Sequence, residues 1–179
     1  MCINSPCEWE GKVQVYTGNG KGKTTASFGL AMRAAGAGLK VFIAQFVKGM
    51  KYSEIKSFEK MSDCIEIHQY GTGCFINRNP NDEDILKAKE GLAEVKRVVS
   101  EGKHRLVILD EANIAVFYKL FTVDDLLDLI ENKSDTVELV ITGRQADPRL
   151  LEKADLVTEM REVKHYYKTG LKARKGIES

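Results

Sequence analysis

Thr17-Gly-Asn-Gly-Lys-Gly-Lys-Thr-Thr25 decides the fold of this chain. It follows Lys12-Val-Gln-Val-Tyr16, a strand-like run, and opens a stretch of helical pattern. Glycines let backbone N–H groups approach phosphate oxygens closely, a helix N-terminus adds partial positive charge, and Lys23 adds a full one. Thr24 presents a hydroxyl suited to a phosphate-bound Mg²⁺. The tract therefore reads as a nucleoside triphosphate site, with Gly18, Gly20, Lys21, Gly22, Lys23, Thr24 and Thr25 as its contacts. A simple capping turn would not need Lys21, Gly22, Lys23 and Thr24 in that order. The usual G-x-x-x-x-G-K-[ST] spacing would put its first glycine at Thr17. The loop begins instead at Gly18, one residue shorter.

Outward from the loop, short apolar runs alternate with longer helical patterns, as in a parallel sheet wrapped by helices. Strands are expected at Val13–Tyr16, Lys40–Phe46, Cys64–Gln69, Leu106–Leu109, Val137–Thr142 and Leu156–Glu159. Helices are expected at Thr24–Ala37, Tyr52–Met61, Asn81–Ser100, Thr122–Glu131 and Pro148–Lys153, with Thr122 as a cap. The fold class is α/β, a P-loop NTPase-like three-layer sandwich with a mostly parallel central sheet of about six strands. At 179 residues, 43% hydrophobic and 30% charged, the chain suits one domain. We expect a tail over 1–10 and a single domain over 11–179.

Arg105-Leu-Val-Ile-Leu-Asp110-Glu111 is a buried-strand pattern ending in two acids. It places Asp110 and Glu111 at the carboxyl edge of the sheet, beside the phosphate loop, where their oxygens can meet Mg²⁺ directly or through water. Alone, the same pattern also describes a strand capped by surface acids. Val140-Ile-Thr-Gly-Arg144 should open on that edge too, with Arg144 facing either phosphate or solvent, and Arg33 has the same two readings.

Lys and Arg number 27 against 26 Asp and Glu, so no overall field favours nucleic acid or an anionic membrane. The basic cluster Lys164, Lys168, Lys172, Arg174 and Lys175 reads as a solvated tail or as the lining of an anion pocket. No apolar run approaches the roughly 20 residues of a membrane span, and the start lacks a signal peptide's regions. A cytoplasmic location is expected. Cys2, Cys7, Cys64 and Cys74 form no C-x-x-C pair and read as reduced thiols.

Taken together, Gly18–Thr25 with Arg33, Gln45-Phe-Val-Lys-Gly49, Tyr70-Gly-Thr-Gly73, Leu109-Asp-Glu111, Thr142-Gly-Arg144 and the ending Glu162-Val-Lys-His165 to Gly176-Ile-Glu178 resemble the ATP:corrinoid adenosyltransferases of the phosphate-loop type. The likeness runs from about Gly11 to Glu178. It implies transfer of the 5′-deoxyadenosyl group of ATP to the Co(I) of a reduced corrinoid, with release of triphosphate held in a reversed sense in the loop. It also implies Lys23, Thr24 and Glu111 as catalytic residues, and Thr24, Glu111 and Asp110 around Mg²⁺. Arg33 would contact the nucleotide, Asn19 would help position it, and the loop that holds Gly73 would border the corrinoid or nucleotide pocket, with Phe75 taken as a substitute for the aromatic packing that the family pattern does not assign here. An electron donor such as a flavoprotein and a homodimeric assembly are further implications. Where bacterial relatives carry Phe-Thr-Trp, this chain reads Cys74-Phe75-Ile76.

A Co(I) nucleophile has no proton to lose, which suits a sequence with no convincing Ser-His-Asp or Cys-His arrangement. Two other readings of the loop remain: a phosphate-loop ATPase or kinase, with Glu111 polarising water or an acceptor hydroxyl, and a non-catalytic corrinoid carrier. Glu66-Ile-His68-Gln-Tyr-Gly71 approximates D-x-H-x-x-G, a cobalt-ligand motif. His68 fits ordinary strand alternation better, and a nitrogen donor disfavours Co(I).

Overall fold

The computed structural model describes residues 9–50, 52–73 and 79–178. Phe75, Cys2, Cys7, Cys74 and most of the 1–10 tail lie outside the described residues. The strands are β1 Val13–Thr17, β2 Val41–Phe46, β3 Ile65–Tyr70, β4 Leu106–Asp110, β5 Glu138–Thr142 and β6 Leu156–Glu159. They form one sheet in the order β3-β2-β4-β5-β1-β6, every pairing parallel. The helices are α1 Lys23–Gly36, α2 Ser53–Phe58, α3 Asp82–Glu101, α4 Ala112–Phe117, α5 Val123–Glu131 and α6 Pro148–Lys153. This is the expected α/β architecture. Among the described residues no helix is long and apolar enough to cross a membrane.

Alternation along the strands divides the core between two faces. Val41 and Ile43 of β2, with Leu106 and Ile108 of β4, pack on Phe28, Ala31, Ala34 and Ala35 of α1 and on Phe58 of α2. Phe42, Ala44 and Phe46, with Val107 and Leu109, face Ala88, Leu92, Val95 and Val99 of α3 and Leu126 and Leu129 of α5. The small alanines on α1 bring that helix close to the sheet, which sets the height of the phosphate loop above it. Central strands β2 and β4 are buried along their whole length, whereas the edge strand β6 is exposed at all four positions.

Local signals placed most boundaries to within a residue. Thr122 and Asp125 form a capping box on α5, and Asn81 and Asp84 form one on α3. The expected Tyr52–Met61 helix is divided into α2 and a 3₁₀ turn, Glu59–Met61. Helix α4 had no counterpart in the sequence reading. It begins directly after Glu111, which sits at φ 59° and turns the chain from strand to helix in one residue.

Candidate active site

The phosphate loop joins β1 to α1. Gly18 and Gly22 adopt φ 93° and 117°, in the left-handed region that favours glycine. A Cβ on Gly18 would lie 2.5 Å from the Met160 carbonyl oxygen, and one on Gly20 2.6 Å from it. The Gly20 N–H donates to that same oxygen at 2.6 Å, so the loop is pressed against the chain leaving β6. Gly22 caps α1 with no side-chain hydrogen bond, leaving N–H groups of the first turn available to an anion. Gly20→Ala is expected to displace the loop and weaken ATP binding by about tenfold or more, equivalent to about 1.4 kcal/mol. Calorimetric titration of ATP would measure it, with far-UV circular dichroism unchanged.

Lys23 is buried and folds back on its own loop, donating to the Gly18 and Gly20 carbonyls at 2.8 Å each. Burial lowers its pKa, opposed by the nearby Glu111 carboxylate. Asp110, at the end of β4, is fully buried. Its Oδ1 accepts from the Thr24 and Thr142 hydroxyls, both at 2.8 Å. Its Oδ2 accepts from Lys48 Nζ at 2.9 Å and Gln45 Nε2 at 3.1 Å. A carboxylate offers about four lone-pair sites, and protein donors occupy them. Burial pushes the Asp110 carboxyl up, but the Lys48 ammonium and the hydroxyl bonds outweigh it and hold the group below its ordinary range.

Glu111 stands in contrast. Its Oε2 is buried with no hydrogen-bond partner among the described residues. Burial, and then the neighbouring Asp110, raise its pKa. Thr24 commits its proton to Asp110, and its Oγ1 accepts only a long contact from Lys48 Nζ at 3.5 Å, which leaves a lone pair for another ligand. The orphaned Glu111 oxygen and the oriented Thr24 hydroxyl make an all-oxygen donor pair that fits Mg²⁺. Asp110, saturated by protein donors, fits an orienting position behind Thr24.

Three strand exits on this edge are sharpened by left-handed residues: Val47 after β2 at φ 55°, Glu111 after β4 at 59°, and Gln145 near the exit of β5 at 59°. Such conformations are uncommon outside glycine and concentrate at functional sites. Val47 turns Lys48 inward. Beyond it, Gly49 donates its N–H to the Gly73 carbonyl at 2.8 Å, and a Cβ on Gly71 would lie 2.6 Å from Lys48 backbone atoms. Gly73 is thereby held against the Lys48 turn.

The structure thus gathers Gly18, Gly20, Gly22, Lys23, Thr24, Asp110 and Glu111 at one place, with Asn19 and Thr25 exposed on the rim. Two expected contacts stand apart. Lys21 is held by the C-terminal segment, donating to Tyr166 Oη at 2.9 Å, Glu178 Oε1 at 2.9 Å and the Ile177 carbonyl at 3.0 Å. Arg33 lies exposed in the last turn of α1, roughly 15 Å along the helix from Lys23 at 1.5 Å per residue. His68 is engaged on β3, its Nε2 3.1 Å from Glu66 and its Nδ1 3.3 Å from Glu94, with its ring against Phe42. The roles of Lys48, Gln45 and Thr142 were missed in the sequence. Gln45 pairs with Asp110 in the register of β2 on β4, so its role follows from strand order.

A parallel sheet with a glycine-lysine loop after β1, a threonine at the start of α1 and paired acids at the end of β4 defines a phosphate-loop nucleotide-binding protein. More particularly, the chain belongs to the family described as ATP:corrinoid adenosyltransferase BtuR/CobO/CobP, which matches residues 9–179. It is 37% identical over 169 residues to a corrinoid adenosyltransferase of Pseudomonas aeruginosa, covering 94% of this chain and 83% of that one. A corrinoid adenosyltransferase of Escherichia coli K12 is 34% identical, at 94% and 85% coverage. Corrinoid adenosyltransferase CobA of Salmonella typhimurium is 32% identical, at 96% and 87%.

Proposed function

We propose that this protein transfers the 5′-deoxyadenosyl group of ATP to the Co(I) of a reduced corrinoid and releases triphosphate. The observation that supports it is a phosphate-loop site, complete from Gly18 to Glu111, in a chain of this family. Residues 11–179 would act as a single catalytic domain behind the 1–10 tail. A homodimeric assembly and an external electron donor, such as a flavoprotein that makes Co(I), belong to the same reading.

In this reaction the cobalt electron pair forms a bond to C5′, and the C5′–oxygen bond to the α-phosphate breaks with its electrons on the triphosphate. No proton moves, so the protein's work is alignment and charge stabilisation. Lys23 would leave its loop carbonyls for the phosphates, and the free N–H groups at the start of α1 would receive the growing charge. Thr24 and Glu111 would hold Mg²⁺, which when bound supplies neutralising charge along the triphosphate. Asp110 would keep the Thr24 hydroxyl oriented, with Lys48 as its counter-ion. Gly73 and Phe75 would border the corrinoid.

Incubation with Mg-ATP and a chemically reduced corrinoid should yield triphosphate and a light-sensitive cobalt–carbon bond. ADP and phosphate as products would overturn the reading. A pH dependence follows from Glu111. A metal-holding carboxylate has to be ionised, and this one titrates above the ordinary 4.5 because it is buried beside Asp110. Mg²⁺ affinity in the ATP complex should therefore fall as pH drops through that raised value, approaching tenfold per pH unit below it. Glu111→Gln should raise the Mg²⁺ requirement at neutral pH and remove this acid limb, both read by Mg²⁺ titration of ATP binding.

A further inference from the structure

We infer that the segment from Met160 to Glu178 is a strap that sets the shape of the phosphate loop, fastened at Lys21, with Glu178 and Tyr166 as positioning residues that act through that lysine. The loop has little of its own to hold its shape. Gly18, Gly20 and Gly22 carry no side chain, and Gly18 and Gly22 sit at positive φ, so the backbone freedom that suits phosphate has to be restrained from outside. On the inner side Lys23 donates to the Gly18 and Gly20 carbonyls. On the outer side the Met160 carbonyl accepts the Gly20 N–H at 2.6 Å, and Met160 Sδ would lie 3.4 Å from a Cβ on Gly22.

Lys21 completes the outer side. An ammonium has three N–H donors, and these meet Tyr166 Oη, Glu178 Oε1 and the Ile177 carbonyl at 2.9, 2.9 and 3.0 Å. None is left for a phosphate oxygen. Tyr166 passes its own proton bond to Glu178 Oε1, and Arg174 donates to the same carboxylate from its backbone N–H at 2.8 Å and from Nη2 at 3.2 Å. The Arg174 guanidinium and the Lys21 ammonium also lie over the Tyr166 ring, 5.2 and 5.7 Å from its centre. Bonds from Arg174, Tyr166 and Lys21 hold the Glu178 carboxyl well below its ordinary 4.5. Arg174, which the sequence left between a solvated tail and an anion pocket, is committed to the strap.

The inference rests on the reading that this loop receives the triphosphate of ATP. Once Lys23 leaves the loop carbonyls for the phosphates, the inner restraint is gone, and Met160 and Lys21 hold the loop in register. A loosened strap should then weaken nucleotide binding. A Lys21 that touched phosphate directly would behave in the opposite way: Glu178 would hold it back, and removing that carboxylate would strengthen binding.

Glu178→Gln and Lys21→Met should each weaken Mg-ATP about three- to tenfold in calorimetric titration. The double variant should bind no more weakly than the single ones, because both substitutions undo the same fastening. Lys21→Arg, which keeps the charge and the donors, should recover most of the loss. In the nucleotide-free protein the amides of residues 166–178 should exchange hydrogen faster in both single variants, with the thermal midpoint unchanged because none of these side chains belongs to the core. The inference is overturned if Glu178→Gln tightens ATP, if the two losses multiply in the double variant, or if exchange over 166–178 in Lys21→Met equals that of the wild type. Hydrogen exchange needs no turnover, so it reads the strap separately from the reaction. ADP and phosphate from the wild type would sink adenosyl transfer, whereas unchanged exchange in an enzyme that makes the cobalt–carbon bond would sink the strap alone.

Discussion

Lys23→Ala is expected to abolish adenosyl transfer, with kcat lowered by at least 100- to 1000-fold, about 2.7–4 kcal/mol of transition-state stabilisation. Lys23 is 6% exposed, and its ammonium lies between two loop carbonyls. A cation in so enclosed a place acts at a lower effective dielectric than one at the surface. In the proposed reaction, the charge that appears on the triphosphate as C5′ departs would fall within its reach. Loss of an interaction made mainly in the transition state should lower kcat more than it raises KM for ATP. Lys23→Arg should not restore activity, because the pocket is shaped to a compact ammonium and not to a planar fork. Triphosphate release and the absorbance of the alkylated corrinoid are the measurements. Retained turnover in the alanine variant would remove Lys23 from the site.

Lys48→Met should destabilise the fold by about 3–5 kcal/mol, because it strips the cation from a buried carboxylate. Asp110 has no exposure, and Lys48 is 8% exposed and 2.9 Å from it. Gln45, Thr24 and Thr142 would still donate to Asp110, but none carries charge. The double variant Lys48→Met with Asp110→Asn should recover much of the lost stability, since the uncompensated charge is gone. The sign with pH is fixed by the direction of the Asp110 shift. In the wild type its folded pKa lies below the ordinary 3.8. The stability it contributes is present above pH 3.8 and is lost as pH falls through the folded value. In Lys48→Met, burial prevails and the folded pKa rises above the unfolded one. The deficit against the wild type should then be greatest near pH 7 and shrink as pH falls towards the unfolded value. Urea unfolding at neutral and mildly acidic pH would test this. Activity should fall too, because the carboxylate that orients the Thr24 hydroxyl loses the cation that holds it in place.

Parts of the molecule that depend on neighbours in sequence were legible. Gly18–Thr25 announces a loop because glycines, a lysine and a hydroxyl serve phosphate only in that local order. Thr122 and Asp125 announce the start of α5 because the capping box closes within a single turn. The apolar run before Asp110 announces a central strand, and β4 is buried throughout. Helix α4 was not legible, since it depends on Glu111 taking a left-handed conformation that a charged residue does not advertise. Lys21 shows the same limit at a side chain. It sits beside Gly20 and Gly22 in the loop, yet its ammonium is taken up by Tyr166 and Glu178 from the far end of the chain.

By itself the sequence determined a parallel α/β fold with a glycine-lysine loop of phosphate-binding type between a strand and a helix, because periodicity and loop chemistry act over a few residues. Only the tertiary structure decided how the charges are shared. The strand order places Lys48 and Gln45 against Asp110 and leaves Glu111 with an oxygen that has no partner among the described residues. The reason is electrostatic. A buried carboxylate takes its ionisation from whichever cation the fold brings within about 3 Å, and that cation lies 62 positions away, on the turn that follows a different strand.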